Sequence, residues 1–426
     1  MSATPTTATK GTGLAFGYIT TLFFAWGFAT SLIDPLIAAV RKVFELSYTE
    51  ALLTTSAWFI AYGVASLPAA AVLGRLGYSR AIIAALGTMV VGCLIVPVAT
   101  MLDWYPGILA ALFVIASGVT LLQVAANPLV AELGSKKSSH FRLVFSQTFN
   151  SLGAAVGPWL GSHLLLTGGV FAAGAVVTAA TRGASLRSID LAFLALAGVF
   201  ALVAAFIFSA RKQINAAAPA SAGSSNFISA FRSPWAIFGA LAIFLYVGSE
   251  VTIGSLMTNF LASGSILDLP LEEAGKLVAL YWTGALVGRL VGSVLLRFVP
   301  AAWLLTLCTV AAAGLCLLVT QTGGMTAGYA ALSIGLFNSI MFPTIFTLTL
   351  ERSSASTSAT SGLLVFGIIG GAILPLIAGR IADASGEAIN PAFWVPFLGY
   401  LALTVFAISA ARTKGRGDAV ASAGGH

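Results

Sequence analysis

The sequence predicts an all-α membrane protein: twelve transmembrane helices in two six-helix bundles, with both termini on the cytoplasmic side. Three observations carry this. The 426 residues are 58% hydrophobic and only 8% charged, against about 25% charged in an ordinary soluble domain, too few to cover a water-facing surface. Apolar runs of at least the ~20 residues a helix needs to cross a bilayer fill both halves of the chain around one polar stretch. Polar residues and prolines recur at nearly equal offsets in the two halves. A soluble enzyme is excluded by the first observation, and a disordered chain by the apolar content.

The spans follow in order. Gly11–Ile33 is the first, and its length reads as a span rather than a cleavable signal. Ala51–Gly74, Ala81–Leu102 and Trp104–Ala131 are the next three. Leu143–Thr181 holds a fifth plus a Gly/Ala-rich outer loop, and Leu191–Ala210 is the sixth. Arg211–Ser233 (RKQINAAAPASAGSSNFISAFRS) is small, polar and flexible, a linker. Pro234–Leu267 carries only Glu250, and Leu277–Leu296 only Arg289. Phe298–Leu350 is free of charge and must fold back once, at Gln321–Gly328 (QTGGMTAG). Ser353–Gly379 and Ala388–Ala411 complete the second six. The expected domains are residues 1–212, a cytoplasmic linker at 213–232, and 233–426.

With the N-terminus inside, fourteen of the 21 Lys and Arg fall in inner segments, six in outer ones, and Arg289 within a span. The opposite orientation would invert the positive-inside rule, so both termini are expected inside. The net charge of +7 is therefore a topology signal and no sign of nucleic acid. Cys93, Cys308 and Cys316 lie in apolar runs without CxxC spacing, which argues against disulfides and metal sites. His140, His163 and His426 form no ligand pattern.

Asp34 in span 1 has a counterpart in Glu250, 216 positions on; Pro128 in span 4 matches Pro343 in span 10, 215 on; Pro158 matches Pro375, 217 on. These offsets imply two parallel six-helix repeats, the plan of two-lobed secondary transporters with a site near the midplane between the lobes.

An intramembrane carboxylate costs several kcal/mol and usually faces a cavity or carries an ion. Asp34 fits that reading, with Thr30 and Ser31 on the same helical face; the alternative is a carboxylate capped at the outer end of span 1, just before Arg41 and Lys42. Glu250 is either a second protonatable, site-lining group or a structural partner for another helix. Arg289 needs a partner, Glu250 or Glu351, and reads as a gating or structural charge. Gln123 with Asn127, and Gln147 with Asn150, form i,i+4 and i,i+3 amide pairs on spans 4 and 5; Asn259 and Asn338 lie on spans 7 and 10. Buried amides both give and take hydrogen bonds, as sugar hydroxyls require; the alternative is helix–helix glue. Trp26, Tyr62, Tyr281 and Trp282 offer flat faces for sugar C–H groups. No P-loop, HExxH, triad or dinucleotide fingerprint occurs, so energy must come from a gradient.

Several segments resemble the fucose:proton symporter family of the major facilitator superfamily. They are FFAWGFATSLIDPLI (Phe23–Ile37), VTLLQVAANPLV (Val119–Val130), FSQTFNSLGAAVGP (Phe145–Pro158), VGSEVTIGSLMTNFL (Val247–Leu261) and GLFNSIMFPTIFTL (Gly335–Leu348). The similarity covers nearly the whole chain, and the glucose/galactose transporter branch looks most similar. LGRLGYSR (Leu73–Arg80) looks like a reduced form of the superfamily's loop 2–3 motif. The resemblance implies that Asp34 serves sugar binding and proton coupling, and that Trp26, Gln147 and Asn150 belong to the pocket. The family's span 4 glutamate is replaced here by Gln123, which cannot ionise; Glu250 is typical of the glucose/galactose branch.

The function expected is import of a monosaccharide across the inner membrane by proton symport through alternating access, with Asp34 and Glu250 coupling protons. Trp26, Asp34, Gln123, Asn127, Gln147, Asn150, Glu250, Asn259 and Asn338 are the expected sugar contacts. No cofactor, metal or nucleic-acid partner is expected, only the sugar and the bilayer, and the protein should act as a monomer. The alternatives are sodium coupling through hard oxygen ligands near Asp34, uniport, efflux of another small polar metabolite, or a non-transporting sugar receptor.

Overall fold

In a computed structural model, residues 8–31, 36, 40, 43–45, 48–135, 138–165, 170, 178–218, 227–269, 271–385 and 388–413 are described. Among them the secondary structure is helical throughout. The first six helices are α1 (Ala8–Ser31), α2 (Tyr48–Leu76), α3 (Tyr78–Met101), α4 (Tyr105–Glu132), α5 (Ser139–Leu165) and α6 (Ala179–Ala217). Then come α7 (Pro234–Ala262), α8 (Leu271–Leu295), α9 (Ala301–Gln321), α10 (Gly324–Asn338) and α11 (Met341–Arg352). The last are α12 (Thr357–Phe366), α13 (Gly370–Ala384) and α14 (Trp394–Arg412). Helices dominate because hydrocarbon offers the backbone no hydrogen-bond partner, so each segment must satisfy itself. Ten stretches are long and apolar enough to span a bilayer among the described residues; α1 and α5, 24 and 27 residues long, complete the expected twelve. Spans 10 and 11 are each broken: α10 gives way to α11 at Ser339–Ile340, and a 3₁₀ turn at Gly367–Ile369 separates α12 from α13.

Apolar runs marked the membrane crossings better than the helix ends. The sixth helix is 39 residues long and begins twelve residues before its apolar run. Thr178 caps its start, its hydroxyl accepting from the Thr181 N–H, and Arg182 Nε donates to the Val43 carbonyl at 2.8 Å while its Nη1 reaches Asp103 at 2.9 Å. These polar contacts support a helical turn outside the hydrocarbon, where hydropathy gives no signal. Its far end likewise continues to Ala217, into the expected linker, and Phe227–Arg232 is a 3₁₀ helix. The expected fold-back after α9 is present: Gly324, at φ +59, turns the chain and its N–H donates to the Ser265 carbonyl at 2.9 Å.

The chain divides into two compact units, Met1–Gly134 with Phe149–Ser224, and Ser135–Thr148 with Ser225–His426. The helix α5 thus starts in the second unit and continues in the first. Within the first unit, α3 packs on α4 and α6, α2 on α4, and α1 on α6. Within the second, α9 packs on α10 and α14, α8 on α10, and α7 on α14. The pairing is the same after a shift of six spans, the structural counterpart of the equal sequence offsets. The most buried spans among the described residues are α4, buried at every residue from Gly118 to Ala131, in the first unit and α10–α11 in the second. Lipid-facing apolar side chains are instead exposed on α6 (Leu191, Leu202, Phe208) and α8 (Val287, Val291, Val294). Helices apolar on every side need no polar face when lipid, rather than water, surrounds them.

Glycine seams bring backbones together in both units. A Cβ on Gly27 would strike the Asn150 backbone, and one on Gly153 the Phe24 carbonyl, so α1 and α5 touch main chain to main chain. In the second unit Gly248 faces the Gly370 carbonyl and Gly370 faces that of Phe244, which repeats the seam between α7 and α13. Small residues permit this approach where no hydrophobic force drives lipid-embedded helices together. Gly153→Leu should cost about 1–3 kcal/mol through overpacking and lower the melting temperature of the detergent-purified protein. Gly87→Leu, where a Cβ meets nothing within 4 Å, should leave it unchanged; equal melting temperatures for the two would refute the seam.

Candidate functional site

In the first unit the polar candidates sit on α1, α4 and α5. Gln123 and Asn127 are one turn apart on the interior helix, 3% and 0% exposed. Gln123 is held: its Nε2 donates to the Tyr62 hydroxyl of α2 at 2.9 Å. Asn127 differs, because among the described residues neither its Oδ1 nor its Nδ2 has a hydrogen-bond partner. A buried group in that condition costs about 1–3 kcal/mol, and native proteins tolerate few such groups. Asn150 stitches α5 to α1, its Nδ2 donating to the Phe23 carbonyl at 3.3 Å. Trp26 is buried beside Phe23, ring centroids 5.1 Å apart. Thr30 and Ser31 turn their hydroxyls back to the carbonyls of Trp26 and Phe28 on their own helix. Asp34 lies outside the described residues. A recess bounded by Trp58, Ile115 and Phe193 in the same unit is apolar and holds none of the polar candidates.

In the second unit Glu250, Arg289, Asn338 and Gln147 join one network. The Tyr246 hydroxyl, one turn before Glu250 on α7, is 2.8 Å from Glu250 Oε1 and 3.1 Å from the Asn338 carbonyl. Asn338, 0% exposed, has both amide ends engaged: Nδ2 donates to the Tyr281 hydroxyl at 2.8 Å and Oδ1 accepts from Tyr400 at 2.7 Å. Arg289 Nε donates to the Ser339 carbonyl at 3.0 Å, and its Nη1 to the Gln147 carbonyl at 3.4 Å. Its charge also bears on Glu250 through space. Glu351, the other expected partner of Arg289, pairs instead with His140 (3.1 Å) and Arg352 (3.1 Å), joining the first turn of α5 to the end of α11. Asn259 makes none of these bonds and its side chain is exposed on α7, and Trp282 is half exposed.

Sequence reasoning missed Tyr246, Tyr400 and His140. Tyr246 had a readable signal, its i−4 spacing from Glu250 on one helical face. Tyr400 and His140 had none: their partners lie 62 and 211 positions away, and only folding brings them together.

Comparison with known proteins agrees with this architecture. The model of the Major Facilitator Superfamily matches residues 19–367. The glucose/galactose transporter of Brucella abortus is 39% identical over 95% of this chain and 96% of its own. The L-fucose-proton symporter of Escherichia coli is 31% identical over 92% of each. Among solved structures, the transporter FucP in its outward conformation matches with a TM-score of 0.82 and 27% identity, over 95% of this chain and 100% of that one. The proton:xylose symporter XylE matches at 11% identity with a TM-score of 0.76, a likeness of fold alone. A chain matched by one family model over most of its length, and by full-length relatives this similar, belongs to the major facilitator superfamily: it is a multi-pass membrane transporter and not an enzyme.

Proposed function

We propose that this protein imports a monosaccharide, of the glucose, galactose or fucose kind, across the inner membrane by proton symport. It works as a monomer with both termini cytoplasmic, and its two bundles, residues 1–212 and 233–426, alternate access to the sugar. The observation that carries the reading is the buried amide of Asn127, without a partner among the described residues, one turn from Gln123 on the interior helix. A sugar hydroxyl matches such a group because it donates and accepts at once. The transported substrates in the relatives' names are sugars, and the fucose relatives are named as proton symporters.

In this reading Asp34 takes a proton from outside, helps to hold a sugar hydroxyl, and releases the proton inside. Gln123 cannot ionise, so Glu250 is the second protonatable group. Trp26 offers its face to the sugar ring. Gln123, Asn127, Gln147, Asn150 and Asn259 supply hydroxyl contacts, whereas Asn338 acts through the tyrosines that occupy its amide. Arg289 holds the broken span and gates.

Adding glucose, galactose or fucose to lightly buffered, de-energised, sodium-free cells should raise external pH with at least one of them. Labelled uptake with no pH change, or uptake only with sodium, would overturn proton symport. Asp34→Asn should abolish uphill accumulation while sparing exchange; uphill transport by that variant would remove Asp34 from coupling. Asn127→Ala should raise the sugar KM about tenfold or more with the melting temperature unchanged or higher. Asn338→Ala should instead lower the melting temperature, since two tyrosine hydroxyls lose their partner. An unaltered KM in Asn127→Ala would dismiss Asn127 as a sugar contact.

A further inference from the structure

The break between α10 and α11 is served by side chains. A helix end leaves its last carbonyls without intrahelical partners, and in hydrocarbon these must find donors elsewhere. Here Ser339 Oγ donates to the Leu336 carbonyl at 2.7 Å, Arg289 Nε to that of Ser339 at 3.0 Å, and the Tyr246 hydroxyl reaches that of Asn338 at 3.1 Å. Serine and arginine have donors to commit. Tyr246 does not: its hydroxyl carries one hydrogen and faces two acceptors, the Asn338 carbonyl and Glu250 Oε1. It is 1% exposed, so water does not settle the competition.

From this count we infer that Tyr246 is a positioning residue that reports the protonation state of Glu250 to the break in the tenth span. The inference rests on the proposed role of Glu250 in proton coupling. With Glu250 ionised, the Tyr246 O–H points to the carboxylate, because a hydrogen bond to a charged acceptor is about twice as strong as a neutral one. The Asn338 carbonyl then loses that donor. When Glu250 takes up a proton, its new O–H donates to the Tyr246 oxygen, and the Tyr246 O–H swings to the Asn338 carbonyl. No proton leaves Tyr246; one is added to Glu250 and one O–H bond rotates. Among the described residues, the other charged or titratable groups whose field reaches the pair are Arg289 and Tyr281 from α8 and Tyr400 from α14, and Cys316 from α9 acts in turn on both of those tyrosines. Arg289 stays bound to Ser339, so one carbonyl of the break is fixed and its neighbour is switched.

The test is the pH profile of sugar–proton uptake by the full-length protein in proteoliposomes, with labelled galactose and glucose. The variants are Tyr246→Phe, Tyr281→Phe and Glu250→Gln. Glu250→Gln should lose the pH dependence set by this carboxyl. Tyr246→Phe, which removes the charge-assisted bond to the ionised form, should move that transition to higher pH by about one unit. Tyr281→Phe breaks the Asn338 knot but touches no carboxylate, and should leave the transition in place. A wild-type profile in Tyr246→Phe, or equal displacement in both tyrosine variants, overturns the inference while proton symport stands. A wild-type profile in Glu250→Gln, or no proton movement in the unaltered protein, overturns the coupling role itself and the inference with it. If Tyr246→Phe does not fold, infrared difference spectra of ring-deuterated-tyrosine protein decide the matter. A pH-dependent tyrosine C–O–H band present in the unaltered protein and absent in Glu250→Gln supports the switch, and its presence in both refutes it.

Discussion

Inside hydrocarbon every backbone donor and acceptor must be satisfied by the protein, and the other features of this structure follow from how that demand is met. Unbroken helices meet it alone. Where span 10 breaks at Ser339–Ile340, three side chains step in, and two of them, Tyr246 and Arg289, come from neighbouring helices. Tyr246 also bonds Glu250, and the charge of Arg289 bears on it through space. Carboxylate, cation and broken helix are therefore one construction, and any change of charge at Glu250 is felt by the main chain of the interior span.

A second constraint is how closely helices can approach when lipid is as apolar as their side chains. Glycine answers it in corresponding helix pairs of the two halves: Gly27 and Gly153 between α1 and α5, Gly248 and Gly370 between α7 and α13. The helix pairings of one unit recur in the other six spans on. A duplicated six-helix plan explains both, and the interior positions of α4 and α10–α11 are where its polar residues collect. The two copies have diverged in use. The first keeps an amide, Asn127, that has no partner among the described residues; the second has turned Asn338 into the centre of a tyrosine cluster.

Charge is otherwise pushed to the helix ends. Arg182 meets Asp103 at one, where water screens the pair and it is worth little, and the less exposed His140, Glu351 and Arg352 meet at another. Among the described residues, Glu250 and Arg289 lie instead within spans and are bound by neutral donors and acceptors, Tyr246 and the Ser339 carbonyl, as well as by each other's field. A membrane protein retains such groups where they work, and proton coupling is the work proposed for Glu250.

Composition and period decided the class of this protein without help from folding. With so few charges only a bilayer can be the solvent, run length against bilayer thickness fixes where the crossings lie, and the nearly equal offsets of Asp34 and Glu250 and of Pro128 and Pro343 disclose the repeat. Those signals are local or periodic, so one dimension suffices to read them. It also showed that Gln123, Asn127, Glu250 and Asn338 are polar residues in apolar surroundings. It could not show which of them were already spent. Whether an amide is free depends on what stands within about 3 Å of it, and for Asn338 those atoms belong to Tyr281 and Tyr400, far off in the chain. Helix ends beyond the hydrocarbon, as at Thr178 and Ala217, and the break at Ser339 were likewise settled by tertiary contacts, because they rest on single hydrogen bonds from distant residues and leave no period in the sequence.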